Sequence, residues 1–110
     1  MDITIRNVNE ITVADFGGNL DTNTSSEAES KLSELVNQGV HKILINLEKL
    51  EYTSSVGLRV LLAAAKQLKS NGGELRICSP NEMVQEVFDI SGFSTILKVF
   101  STESEALSGF

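Results

Sequence analysis

Cysteine, histidine and basic residues are scarce in this chain, and each shortage removes a class of function. One cysteine, Cys78, excludes an internal disulfide framework, and with His41 as the one histidine there is no ligand set for a metal cluster. Nine basic residues stand against fifteen acidic ones, a formal charge of −6. A surface of that sign repels a phosphate backbone, so nucleic acid is not expected as a partner, and a protein with a basic face fits better. No apolar run approaches the ~18 residues that a membrane span needs, and no basic opening segment leads into an apolar stretch with a cleavage site. The chain is therefore expected to stay in the cytoplasm and off membranes. Linkers, internal repeats and low-complexity segments are missing too, which leaves one domain, 1–110, with 41% hydrophobic and 22% charged residues.

What is present alternates between strand and helix signals. Ile3 and Ile5, then Ile11 and Val13, alternate with polar residues on either side of Asn7-Val8-Asn9, the pattern of an antiparallel hairpin whose second strand Gly17-Gly18 should break. Thr24-Ser25-Ser26-Glu27 reads as a capping box opening a helix along Ala28, Leu32, Leu35 and Val36, with Gly39 as its stop. The apolar run from Val40 to Leu47 lacks clean alternation and reads as a central strand covered on both faces.

A second helix is expected from about Ser54 to Ser70, with Lys66 and Lys69 near its negative end and Gly72-Gly73 beyond it. Glu74–Cys78 returns as a strand, and a strand, helix, strand order implies a parallel crossover. Ser79-Pro80-Asn81-Glu82 reads as a further helix start with serine as cap. Met83, Val84, Val87 and Phe88 follow as a core stripe, and Gly92 closes it. Ile96, Leu97 and Val99 suggest a last short strand, and 102–107 a last helix. The sum is an α/β domain with about five strands in a mixed sheet and about four helices.

The centre of the pattern is Leu50-Glu51-Tyr52-Thr53-Ser54-Ser55-Val56-Gly57-Leu58-Arg59, where two hydroxyls sit at the hand-over from the central strand to the second helix. A helix start presents unpaired N–H groups and partial positive charge, so a serine there can cap it and a negative group is locally stabilised. Capping alone would account for such a serine.

The surrounding residues are more specific. The run Asn46-Leu-Glu-Lys-Leu-Glu-Tyr-Thr-Ser-Ser-Val-Gly-Leu-Arg, with Gly18-Asn19-Leu20-Asp21 before it and Gly72-Gly73-Glu74-Leu75 and Phe88-Asp89-Ile90-Ser91-Gly92-Phe93 after it, resembles a stand-alone STAS domain. It is more narrowly similar to the bacterial anti-sigma factor antagonists. In that family the corresponding wording is Asp-Ser-Ser-Gly-Leu-Gly or Asp-Ser-Ala-Gly-Leu-Gly, and the serine after the aspartate is phosphorylated. The resemblance puts Ser55 at the acceptor and Ser54 at the aspartate, with Ser54 as second candidate acceptor; Arg59 stands where glycine is common.

The resemblance implies a partner-switching role in which the chain is substrate and not enzyme. The unphosphorylated form would bind an anti-sigma factor that is also a serine kinase of the ATPase-kinase type, phosphorylation would release it, and a metal-dependent serine phosphatase would reset it. Asp21, Thr22, Asn23 and Thr24, in a loop that in the family lies near the phosphoserine helix, would join Ser54, Val56, Gly57 and Arg59 in the partner surface. Arg59, four residues after Ser55, could pair with the phosphate. No Gly-x-x-x-x-Gly-Lys-Ser/Thr sequence occurs, and no cofactor, metal or oligomer is expected. Two other readings stay open: a STAS scaffold or small-ligand sensor without phosphorylation, and a hydrolase with Ser55 as nucleophile and His41 as base, though no Gly-x-Ser-x-Gly elbow is present.

Overall fold

The structure is a computed structural model that describes the backbone of all 110 residues and every side chain except that of Ser94. In chain order the elements are β1 (Asp2–Val8), β2 (Ile11–Leu20), α1 (Ser25–Asn37), β3 (Lys42–Thr53), α2 (Ser55–Ser70), β4 (Glu74–Cys78), α3 (Glu82–Ser91), a 3-10 turn (Phe93–Thr95), β5 (Lys98–Phe100) and α4 (Glu103–Leu107). The strands form one sheet in the order β1-β2-β3-β4-β5; β1 and β2 are antiparallel and the remaining neighbours parallel. The α/β class and the mixed five-stranded sheet are as the sequence predicts.

β3 is the middle strand, which is why its sequence does not alternate: Ile43, Leu44, Ile45 and Leu47 are all fully buried. Ile43, Ile45 and Leu47 join Ala14, Phe16, Leu75 and Ile77 under the helices α1, α2 and α3, where Phe88 and Phe93 stack at 4.5 Å between ring centroids. Leu44 points the other way, into a smaller cluster with Val13, Cys78 and Ala106 of α4. Cys78 is a core residue, and burial pushes its thiol up to about 11.

Several expected boundaries move, each for a local reason. β1 runs on through Asn7-Val8, and the hairpin turn is Asn9-Glu10, with Asn9 at φ 58. Gly17-Gly18 does not break β2. The pairing with β3 shifts between Asp15 and Gly17 and again between Gly18 and Asn19, so irregular pairing absorbs both glycines and the strand continues to Leu20. No capping box forms at Thr24: its hydroxyl accepts the Asp21 N–H at 3.0 Å and donates to the Asn19 carbonyl at 2.8 Å. Gly39 does end α1, at φ +87, with the Val40 N–H reaching back to the Leu35 carbonyl.

Ser79 is not the cap of α3 either. It sits at φ 59, and Asn81 caps the helix by accepting the Val84 N–H at 2.8 Å. Met83 is 54% exposed, outside the core to which its spacing assigned it. The last strand begins at Lys98, which leaves Ile96 and Leu97 outside it and Ile96 61% exposed.

The short helix α4 would be marginal alone. Two arginines hold it to the sheet. The Arg6 guanidinium makes a paired contact with Asp15 (2.6 and 2.9 Å) and also binds Glu103, whose carboxylate accepts the Asn46 amide at 3.0 Å. Arg76, buried on β4, donates to the carbonyls of Ala106, Ser108 and Gly109 at 2.9 Å, pairs with Glu74 at 2.7 Å and lies 4.5 Å from the Phe110 ring centroid.

Arg6, followed by Asn46, holds the Glu103 carboxyl below its ordinary value. A carboxylate depressed in the folded state contributes stability above its unfolded pKa of ~4.3, and that contribution is lost as pH falls through the folded value. Glu103→Gln should therefore lower stability by up to about 1 kcal/mol near neutrality, and the deficit should vanish in acid. Urea unfolding of both proteins across pH 3 to 7 checks this; a deficit that persists at the acid end would contradict it.

Candidate functional site

The site is built where β2 and β3 end side by side. Leu20 and Thr53 are cross-strand neighbours in the parallel pair, and the Ser54 N–H donates to the Leu20 carbonyl at 2.9 Å. Ser54 keeps extended backbone (φ −99, ψ 175), and its hydroxyl accepts the Gly57 N–H at 3.3 Å. It is the N-cap of α2, the role its residue type suits.

Gly57 must be bare. A Cβ there would lie 2.5 Å from the Thr53 hydroxyl and 2.6 Å from the Leu20 carbonyl oxygen, so any side chain would push the first turn of α2 off the ends of β2 and β3. Gly57 is buried by this contact and lies behind the surface that the other residues form.

Ser55 is the first residue of α2 and is exposed. The first turn carries no acidic residue, so the positive end of the helix dipole is not offset by its own side chains. Val56 is half-buried, and Arg59 is exposed one turn after Ser55.

The loop after β2 reaches the same place because Leu20 is its last fixed point. Thr22 and Asn23 are exposed, and Asp21 and Thr24 half-buried. The Asp21 carboxylate accepts the Asn23 N–H at 2.9 Å, and its carbonyl accepts the Ser25 N–H at 2.8 Å, so the loop is braced by its own hydrogen bonds. Asp21, Thr22, Asn23, Thr24, Ser54, Ser55, Val56 and Arg59 thus lie at the end of the sheet where Leu20 and Thr53 pair.

Asn81 is the residue that the sequence reading missed. Beyond the last β3–β4 pair, Asn46 with Cys78, the edge of β3 on that side is no longer paired to β4. The Asn81 amide fills part of the gap, donating to the carbonyls of Leu50 at 3.0 Å and Glu51 at 3.2 Å while its oxygen caps α3. One side chain therefore ties the start of α3 to the strand that leads into Ser54. Its signal was an asparagine directly after a proline, overshadowed by Ser79 two residues earlier.

His41 precedes β3 and Ser55 follows it, so most of the length of a twelve-residue strand lies between them. At ~3.3 Å per residue that is far beyond proton-transfer range. Among the described residues no three of His, Cys, Asp and Glu gather to hold a metal, and no helix is long and apolar enough to cross a membrane.

Comparison with known proteins adds to this geometry. The family model described as STAS domain matches residues 2–106. A protein of Bordetella bronchiseptica, provisionally named anti-sigma factor antagonist BtrV, is 34% identical over 110 residues, covering 100% of this chain and 95% of that protein. The anti-sigma-B factor antagonist of Staphylococcus epidermidis is 33% identical over 98 residues, covering 84% of this chain and 91% of its own. Among solved structures, the Bacillus cell fate determinant SpoIIAA in its phosphorylated form matches with a TM-score of 0.74 at 26% identity, covering 96% of each chain.

The geometry separates the two serines energetically. Ser54→Ala removes the cap and should cost about 1 kcal/mol, whereas Ser55→Ala, at an exposed position without a capping bond, should change stability by no more than a few tenths. Gly57→Ala should cost about 1–3 kcal/mol through the clash with Leu20 and Thr53. Urea midpoints of the three variants check the order; equal effects of Ser54→Ala and Ser55→Ala would contradict it.

Proposed function

The chain belongs to the STAS-domain family of anti-sigma factor antagonists, and from that premise we propose that it is a partner switch whose state is written on Ser55. Unmodified, it docks on an anti-sigma factor that is also a serine kinase and so frees that factor's target. The kinase transfers the γ-phosphoryl group of ATP to the Ser55 hydroxyl, the hydroxyl proton leaves to a base on the kinase, and ADP is released. A metal-dependent phosphatase hydrolyses the ester to inorganic phosphate and restores the alcohol.

The observation that carries this reading is the division of labour at the start of α2. The hydroxyl of Ser54 is engaged with the Gly57 N–H, while Ser55, one residue later, is an exposed residue. Ser55 can be esterified without uncapping the helix, whereas Ser54 would give up its capping bond. A relative of the same fold known in a phosphorylated form agrees with this use of the scaffold.

The switch acts on the interface and leaves the fold alone. A phosphoserine brings a charge of about −1.5 to −2, which the start of a helix accommodates. A partner surface shaped to desolvate a neutral hydroxyl then meets a bulky dianion. Losing ~3 kcal/mol there weakens binding by about two orders of magnitude. Asp21, Thr22, Asn23, Thr24, Val56 and Arg59 form the rim that the partner reads around Ser55. In this scheme the absent aspartate at Ser54 costs a carboxylate beside the acceptor but keeps the helix cap.

Incubation with the purified ATPase-kinase of the same partner-switching cassette and ATP tests the assignment. The wild type and Ser54→Ala should each gain one phosphate by intact mass, and Ser55→Ala none. Full modification of Ser55→Ala would move the acceptor to another residue. A wild type that stays unmodified by an active kinase would favour a STAS scaffold that works without phosphorylation.

A further inference from the structure

We infer that the outward stripe of α3, Met83 and Ile90, is the second half of the docking surface and takes a basic-rimmed apolar groove on the same anti-sigma factor. The inference rests on the proposed reading of the chain as a ligand of such a factor.

Four large apolar side chains are exposed among the described residues: Tyr52 at 42%, Met83 at 54%, Ile96 at 61% and Ile90 at 80%. Met83 and Ile90 are seven residues apart on one helix, hence within ~20° of the same line and ~10 Å apart along it. Val84 and Phe88 point the other way, into the core. α3 therefore has an apolar inner face and a separate apolar ridge that remains largely open to solvent.

The ridge has a charged border. On the helical wheel Glu82, Glu86 and Asp89 all fall on one side of the line from Met83 to Ile90, and the core-facing residues fall on the other. An apolar ridge with one acidic flank fits an apolar groove with basic residues along one lip. The same sign follows from the net charge of −6.

The ridge is tied to the candidate site by the described contacts. Asn81, one residue before α3, donates to the carbonyls of Leu50 and Glu51. Exposed Tyr52 comes next in the strand, and Ser54 and Ser55 directly follow its end. The site itself lacks an anchor, since its exposed residues Thr22, Asn23, Ser55 and Arg59 are polar. A stable interface needs roughly 800 Å² from each partner, with apolar or aromatic side chains at its centre. In this inference Tyr52 and the α3 ridge, entered from the Met83 end that follows Asn81, supply that anchor.

The test measures affinity of the unphosphorylated full chain for the purified anti-sigma factor of its cassette. Met83→Lys and Ile90→Lys should each weaken binding at least tenfold, while their urea midpoints stay at the wild-type value because both side chains are already exposed. Ile96→Lys should bind as wild type. Ile96 lies beside Ala65, Lys69 and Gly73, at the end of α2 opposite Ser55. Glu86→Lys should weaken binding, with the loss shrinking at high salt. Wild-type affinity in Met83→Lys and Ile90→Lys, or an equal loss in Ile96→Lys, would overturn the inference. Ser55→Asp separates the two ideas: undiminished binding there would sink the phosphoserine switch while leaving the α3 result standing. A wild type that binds no such factor would remove both.

Discussion

The Leu20 carbonyl is the point on which the arrangement turns. It receives the Ser54 N–H at 2.9 Å and lies where a side chain on Gly57 would begin, 2.6 Å from an added Cβ. This close approach sets the ends of β2 and β3 against the first turn of α2. The loop after β2 and the two serines after β3 become neighbours through it. The exposure of Ser55 follows, because the chain must leave the sheet at Ser54 and turn into a helix whose buried side is already taken by Gly57 and Leu58. A helix start held this firmly is a rigid place to put a charge.

The opposite face of the sheet is governed by different forces. There α4 and Phe110 cover a small apolar cluster and are held by Arg6 and Arg76 through charged hydrogen bonds. None of these groups reaches the start of α2. The ionic attachments tie the short C-terminal helix to β1, β2 and β3 on this face, while the candidate switch sits at the ends of β2 and β3. A phosphate on Ser55 has no buried ion pair within its own element to disturb, since the first turn of α2 holds no acidic residue.

Much of this was legible in the sequence, and the failures share a cause. β4 has the bounds that its composition predicts, Glu74–Cys78, and Ser54 caps α2 as a serine at a strand-to-helix junction should. β3 extends six residues past Leu47 to Thr53, because β2 pairs with it on one side and Asn81 supplies hydrogen bonds on the other, neither of which local composition reveals. Thr24 and Ser79 have the right side chains for capping. The first is spent on Asp21 and Asn19, and the second sits in a left-handed conformation just after β4. Gly17-Gly18 stays in the strand because shifted pairing absorbs it. Capping and turn signals are local, whereas the partner that finally takes each hydrogen bond is chosen by the tertiary fold.

The central claim is that a phosphate on Ser55 alters docking and spares folding. The most direct test compares fully phosphorylated and unmodified protein in two measurements on the same samples, affinity for the anti-sigma factor and urea stability. Affinity should fall about a hundredfold on phosphorylation while stability changes by no more than about 0.5 kcal/mol. Equal affinity of the two forms, or a loss of affinity matched by a loss of folding, would contradict it.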